Sequence, residues 1–466
     1  MDSSHKWEVL LAIGVGTFMT ALDTSVANTV LPVIGKSFNE SITSVQWVVT
    51  IYLLVLSGLL LSFGRLGDMQ GYKKIYLSGF GIFIAGSLLS GIAPNVGLLI
   101  AFRGLQALGA AMLAANSPAI LTKSFPAQQR GQALGLQATM TYLGLIVGPS
   151  LGGWLTSLFG WRVVFYINVP VGLAFFWLGL HFIPSDKVHK VTEKFDFPGA
   201  ITFMLGLGAL LLGLNKGAEW GWTSIFTLLF LFSAVILLSA FIYIEKHVEN
   251  PMLDLNLFNK LPFSLSTASA VINYIGIYSS IFLMPYYLIQ GRGFTPAQAG
   301  LILTAQPLVM AVIAPISGTL SDRIGTRLPT VFGMAVLSAG LFFLSRLDAQ
   351  SEIKTIMMAL AIVGLGTGAF ISPNNSSLMG SAPKSRQGIA AGILATARNF
   401  GMVLGVGIAG AIFATTLAHG RSGLIAPGGT TQDEVIFVAL QLSFLTVSLI
   451  TFLGVITSMV RATDIS

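Results

Sequence analysis

The chain has 466 residues, of which 54% are hydrophobic and 9% charged, with a formal net charge of +7 and no cysteine. A soluble domain carries about 25% charged residues, so this little charge cannot cover a water-facing surface, and a mean hydropathy of +0.81 puts the chain in a bilayer. The absence of cysteine excludes a disulfide framework, a thiolate metal site and a cysteine nucleophile.

Hydrophobic runs bounded by glycine, proline or charge fall at 9–34, 45–66, 75–93, 96–121, 132–157, 164–184, 197–215, 224–245, 262–289, 298–321, 328–347, 354–379, 387–416 and 434–460. Runs of about 20 apolar residues specify membrane-crossing helices, not the strands of a barrel. The predicted fold class is therefore an all-α membrane protein with fourteen spans. Residues 1–8 are polar, and the apolar stretch after them has no small-residue cleavage site, so it is read as the first span and not as a removed signal. An even number of spans puts both termini on one side. Of the 25 Lys and Arg, sixteen fall in joints on the side of the termini and seven on the other, with Arg103 and Arg398 inside spans. This bias predicts cytoplasmic termini, and the short loops fit a cell membrane, inner or plasma.

In the first span, Asp23 is the only one of the 18 acidic residues placed deep within an apolar run. A charge there costs about 2.5–3.5 kcal/mol on insertion scales, so such groups face a cavity and serve function. Asp23 is accordingly a candidate for reversible protonation. Thr20, Thr24 and Ala27 share its face at helical spacing, and Asn28 joins them as a candidate cavity residue. Arg103 and Gln106, one turn apart in the fourth span, can point into one space. Arg103 has two further readings, a structural ion pair with Asp23 and a charge that snorkels to the interface. Trp47 and Tyr52 in the second span, with Asn374 and Asn375 in the twelfth, are candidate cavity-lining groups. Aromatic walls of this kind suit flat hydrophobic or cationic molecules, although Trp47 could equally anchor its helix at the interface.

Between the second and third spans, Gly64 and Gly71 allow a tight turn in which Asp68 is expected to cap a helix or pair with Arg130. In the fifth span, Gly144, Gly148, Gly152 and Gly153 leave a groove without side chains, so that another helix can approach backbone to backbone. Pro149 removes a hydrogen bond there and bends the axis, a change of about 3 kcal/mol or more that is tolerated when a neighbour satisfies the freed carbonyl.

An internal repeat sets the architecture. Gly131, Gly135, Gly144 and Gly148 recur as Gly388, Gly392, Gly401 and Gly405, each 257 residues later. Gly64, Leu66, Asp68 and Gly71 recur as Gly318, Leu320, Asp322 and Gly325, each 254 residues later. Eight spans separate the copies, an even number, so the repeat is parallel. Two six-helix halves, 1–195 and 259–466, are thus expected around an inserted helix pair and linker at 196–258, with a substrate path between the halves. The second copy keeps Asp322 and Arg323 as candidate gating residues. It also differs from the first. Val406 and Ala409 stand where Pro149 and Gly152 stand, and Arg398 occupies the position of Thr141. Arg398 could hold an anionic group of a substrate, act as counter-charge to Asp23, or be structural.

Five stretches in order resemble the fourteen-helix drug:proton antiporters of the major facilitator superfamily. They are Leu22-Asp-Thr-Ser-Val-Ala-Asn-Thr-Val-Leu-Pro32, Gly64-Arg-Leu-Gly-Asp-Met-Gln-Gly-Tyr-Lys-Lys74, Arg103-Gly-Leu-Gln-Ala-Leu-Gly109, the Gly144–Gly153 run, and Tyr287-Leu-Ile-Gln-Gly-Arg-Gly293 with Ala299-Gly300. The resemblance implies a proton-coupled exporter of hydrophobic, amphipathic or cationic small molecules working by alternating access. It implies that Arg103 tunes the protonation of an acidic partner, that Asp68 belongs to a latch between the halves, and that the Gly-Pro run marks an exporter. Gly67, Met69 and Tyr72 depart from the family's alanine and two basic residues in that latch. The expected partners are a small-molecule substrate, protons and lipid, with no nucleic acid and the protein a monomer. No cofactor is expected, since no Walker-type run, spaced metal-ligand cluster or nucleic-acid signature is present. A carrier of one metabolite on the same fold is the alternative. A membrane enzyme or sensor is disfavoured because no nucleophile and base pair is evident. The charged stretch Ser185–Asp196 and the Gly-rich stretch Leu417–Glu434 are read as loops without a recognisable activity.

Overall fold

A computed structural model describes residues 5–126, 129–184, 196–248, 251, 253, 255–383, 387–421 and 432–460. Among them every regular element is helical, and fourteen helices are long and apolar enough to cross a membrane. In the first half these are α1 (Lys6–Phe38), α2 (Ile42–Gln70), α3 (Tyr72–Ile92), α4 (Val96–Ser124), α5 (Arg130–Phe159) and α6 (Val163–Phe182). The inserted pair is α7 (Phe197–Trp220) and α8 (Ile225–His247). The second half holds α9 (Leu261–Gly291), α10 (Pro296–Ile324), α11 (Arg327–Leu344), α12 (Ile353–Ser381), α13 (Gln387–Arg421) and α14 (Gln432–Val460). Each predicted run has its helix. Three of these helices begin where short polar side chains cap free N–H groups: Ser41 accepts from Ser44 N, Asn95 from Leu98 N, and Thr295 forms a capping box with Gln298.

Helix α8 presents Phe226, Leu229, Phe232 and Ile236 outward, each more than half exposed. Such a surface is stable only where lipid solvates it.

The chain divides into two compact units, Met1–Met204 with His247–Met252, and Leu205–Lys246 with Leu253–Ser466. Most of the inserted pair groups with the second unit. There Leu211 and Leu214 of α7 lie against Gly407 of α13, and Trp222 Nε1 donates to Thr415 Oγ1 at 3.1 Å.

Within the first unit, α5 lies on α1 along its glycines. A Cβ at Gly144 would meet Phe18 O at 2.7 Å, one at Gly148 would meet Ser25 Cβ at 2.6 Å, and one at Gly152 would meet Val26 Cγ1 at 2.7 Å. Helix α5 runs continuously through Pro149. The carbonyl that this proline cannot bond belongs to Leu145, four residues earlier, and Ser25 Oγ of α1 donates to that oxygen at 3.4 Å. The second unit repeats the seam between α9 and α13. A Cβ at Gly401 would meet Val271 O at 2.5 Å and one at Gly405 would meet Ile275 O at 2.7 Å.

Two expectations about joints are corrected. Asp68 does not lie in a turn, because α2 continues to Gln70 and the chain reverses at Gly71, which has φ 97°. Gly325, with φ 81°, ends α10 in the same way, so Asp322 and Arg323 are also helical. Helix α13 extends to Arg421, so residues 417–421 are helix and not loop. Residues 185–195 and 422–431, which hold most of the two predicted loops, lie outside the described residues.

Between α11 and α12, Asp348 accepts hydrogen bonds from Ser351 Oγ at 2.8 Å and Gln350 N at 2.9 Å. These bonds, the serine's first, hold its carboxyl below the usual carboxylate range. Tyr287 and Arg292 at the end of α9 donate to the Asp348 and Ser351 carbonyls and tie this joint down.

Candidate functional site

Asp23 sits midway along α1, within the first unit, and is only 3% exposed. Its two carboxylate oxygens are divided among three donors from two other helices. Arg103 Nη1 of α4 donates to Oδ2 at 2.6 Å, Gln106 Nε2 of α4 to Oδ1 at 2.9 Å, and Asn168 Nδ2 of α6 to Oδ1 at 3.0 Å. The 3-residue spacing puts Arg103 and Gln106 on one face of α4, and Gln106 Oε1 closes the ring by accepting from Arg103 Nη1 at 2.7 Å. Gly86 of α3 makes room for this, since a Cβ there would meet the Gln106 backbone at 2.6 Å.

Asn168 reaches the site because α6 is interrupted at Ile167 and restarts. Pro170, in the first turn of the restarted segment, has no N–H to offer the preceding turn. Asn168 Nδ2 also reaches Ser87 Oγ at 3.0 Å, and Ser87 in turn donates to Phe165 O at 2.8 Å. The guanidinium of Arg103 lies over the Tyr52 ring at 4.3 Å and near Phe165 at 5.5 Å, and its Nε donates to Val48 O at 3.3 Å. The result is an ion pair with both side chains 1% exposed. Desolvating two such charges is repaid only when further hydrogen bonds satisfy them; an amide from each of α4 and α6 does so for the carboxylate, while Arg103 Nη2 is buried without a partner.

The ionisable groups of the second unit are arranged differently. At the core of that unit, Ser280 Oγ of α9 donates to Gln306 Oε1 of α10 at 3.0 Å, a neutral contact. Arg398 of α13 lies 5.9 Å from the Tyr274 ring centre, and its Nε has no hydrogen-bond partner. Asn374 is buried and donates to Ser266 O at 3.1 Å, joining α12 to α9.

The sequence profile of the Major Facilitator Superfamily matches residues 13–253 and 266–462. The chain belongs to this superfamily. It is 35% identical over 418 residues to the riboflavin transporter RibZ of Clostridioides difficile, a match covering 90% of each chain. It is 32% identical to the multidrug resistance protein Stp of Mycobacterium tuberculosis, over 88% of this chain and 76% of that one. A third relative, the tetracenomycin C resistance and export protein of Streptomyces glaucescens, is 31% identical over the same shares. The crystal structure of a bacterial homolog of the human lysosomal transporter Spinster, inward-facing and unoccupied, matches with a TM-score of 0.73 at 15% identity, over 99% of this chain and 98% of that one. That likeness shows the fold alone.

In this facilitator the remaining predicted residues are dispersed. Thr20, Thr24 and Asn28 bond back to carbonyls of α1 itself, at Thr17, Thr20 and Thr24. Trp47 and Asn375 are half-buried, while Tyr52 is buried against Arg103. Asp68 is exposed, takes a hydrogen bond from the Tyr72 hydroxyl, and lies 4.0 Å from Arg65 Nη1. The side chain of Arg130, its expected partner, lies outside the described residues. Asp322 and Arg323 are exposed and form no ion pair among the described residues. Gly67, a departure from the family pattern, is where Asn116 of α4 packs on α2: a Cβ there would overlap its side chain. Asn168, Ser87, Tyr274 and Tyr278 were missed by the sequence reading. A polar amide within the sixth apolar run was the signal for Asn168.

Proposed function

We propose that this facilitator is a proton-coupled secondary exporter of amphipathic aromatic small molecules, with Asp23 and Arg103 as the coupling pair. The observation that carries the reading is the buried ring of Asp23, Arg103, Gln106 and Asn168. With Asp23 ionised the ring is neutral and both carboxylate oxygens are bonded. Adding a proton to Asp23 cancels its charge and leaves Arg103 an unpaired cation in apolar surroundings, a change of several kcal/mol that favours a different arrangement of α1 against α4. Proton binding and helix arrangement are thereby linked, as alternating access requires. The relatives named for multidrug resistance and for tetracenomycin C export support the outward direction.

One proton per cycle is the simplest stoichiometry for one deep carboxylate. About 2.3 kcal/mol per charge per 100 mV and about 1.4 kcal/mol per pH unit then sustain a roughly 500-fold gradient of a neutral cargo. The protein would act as a monomer in the cell membrane, with both termini cytoplasmic. Asp68 and Asp322 would serve gating, and the remaining cavity candidates would line the substrate path.

A second reading, transport of one specific metabolite, is favoured by the 35% identity to a riboflavin transporter. The test uses vesicles with an imposed pH gradient, loaded with a neutral dye or with riboflavin, for wild type and Asp23→Asn. Gradient-driven flux in wild type and its loss in the variant are expected. Equal flux in both would remove Asp23 from the mechanism, and flux indifferent to the gradient would remove proton coupling.

A further inference from the structure

Of the two arginines inside spans, only Arg103 has an acidic partner among the described residues; Arg398, in the second unit, has none. Asp23 is cancelled by Arg103 at 2.6 Å inside the first unit, so a cationic cargo would find that carboxylate already occupied. The other buried acids sit at helix ends and take backbone hydrogen bonds, Asp196 from Gly199 N and Glu245 from Leu253 N, both at 2.9 Å.

Arg398 is eleven residues into α13, about 16 Å along it. Arg103 has an acid, an amide and a carbonyl around it. Arg398 has none of these among the described residues, and its Nε is buried and unbonded. An unpaired guanidinium at membrane depth is costly and marks a substrate or ion pathway. Its surroundings are aromatic. Gly401, one turn after Arg398, lets Tyr274 press against α13, since a Cβ at Gly401 would meet Tyr274 Cβ at 2.8 Å. Tyr278 follows one turn along α9, and both rings lie within electrostatic range of the guanidinium. Arg398 makes a side-chain hydrogen bond to the Tyr274 hydroxyl, whose ring centre at 5.9 Å is at the outer limit of cation–π attraction, and its unbonded Nε leaves part of the planar fork of donors open to an acceptor. That fork matches a carboxylate in bidentate fashion, and the tyrosine faces suit a flat ring.

We propose that Arg398, Tyr274 and Tyr278 form a subsite for the anionic end of a flat aromatic cargo. The transporter then prefers aromatic compounds carrying a carboxylate or phenolate over lipophilic cations. This rests on the reading of the chain as a small-molecule carrier and adds the sign of the cargo's charge. The position 257 residues earlier is Thr141, so only the second half supplies this cation.

Two xanthene dyes of opposite charge, fluorescein and rhodamine 6G, test the proposal by fluorescence polarisation on the purified full chain in detergent at pH 7.5. Wild type is expected to bind fluorescein at least tenfold more tightly than rhodamine 6G. Arg398→Gln should weaken fluorescein at least tenfold and leave rhodamine 6G within twofold, and Arg398→Lys, which keeps the charge without the fork, should fall between. Tighter binding of rhodamine 6G, or equal loss of both dyes in Arg398→Gln, would overturn the subsite. Should Arg398→Gln not yield folded protein, Tyr274→Phe decides: a threefold drop in the anion-to-cation preference supports the subsite, and an unchanged preference overturns it. Binding needs no gradient, so a vesicle flux insensitive to pH would sink the coupling proposal and leave this one standing.

Discussion

In the first unit α5 lies on α1 with Gly144 against Phe18 O, and in the second α13 lies on α9 with Gly401 against Val271 O. The closest approach of α3 to α4, at Gly79 and Gly109, is repeated by α11 and α12 at Gly333 and Gly366. The scaffold is one design used twice. The ionisable groups are not. The positions 254 residues after Asp23 and 257 after Arg103 are Ile277 and Leu360, so the ion pair has no counterpart there. Helix packing in a membrane depends on small residues at fixed spacing, whereas a buried charge depends on partners from several helices at once. The two requirements separate here, and each can be altered without the other.

The largest effect should come from breaking the ion pair on one side. Arg103→Leu leaves Asp23 buried without its cation and is expected to destabilise the protein by about 3–5 kcal/mol, read as a fall in Tm in detergent. Asp23→Asn with Arg103→Gln removes both charges and should recover much of that loss. A double variant no more stable than the single would mean that the pair does not act as a unit.

Adding a methyl to either seam should cost less, and equally in both units. Gly144→Ala and Gly401→Ala each push a Cβ into a backbone oxygen, at 2.7 and 2.5 Å, and overpacking of this kind costs about 1–3 kcal/mol. If the Tm losses differ more than twofold, the seams are not equivalent.

The smallest effect concerns a place where the seams differ, at Pro149. Ser25→Ala removes the donor to the Leu145 carbonyl that Pro149 leaves free, a loss of about 1 kcal/mol. In a Pro149→Ala background, residue 149 supplies its own N–H, and Ser25→Ala should become nearly neutral. A double-mutant cycle reads the coupling. No coupling would show that Ser25 does not service the proline.

Much of this was legible in the sequence because membrane helices declare themselves by length and apolarity. The repeated glycines also foretold both seams, since spacing along one helix fixes a face. Asp23, Arg103 and Gln106 stood out because polar groups in spans are rare. Asn168, although a polar amide inside the sixth apolar run, was not singled out, and its partner Asp23 lies 145 residues away. The placement of Asp68 was misjudged for a local reason: Gly64 and Gly71 suggested a turn, yet Gly64 lies within α2, and only Gly71 takes the conformation that reverses the chain. The tyrosines beside Arg398 could not be read at all, since nothing in α9 alone shows which residue of α13 it meets.

The glycine seams also have a meaning for traffic. Gly144, Gly148 and Gly152 cover about 12 Å of helix, and along that line there is no room for even a methyl group. Neither a lipid tail nor an aromatic ring can slip between α1 and α5 there, and the same holds for α9 and α13 at Gly401 and Gly405. Each unit is thus closed along one seam, and whatever passes into it from the bilayer must enter by another door.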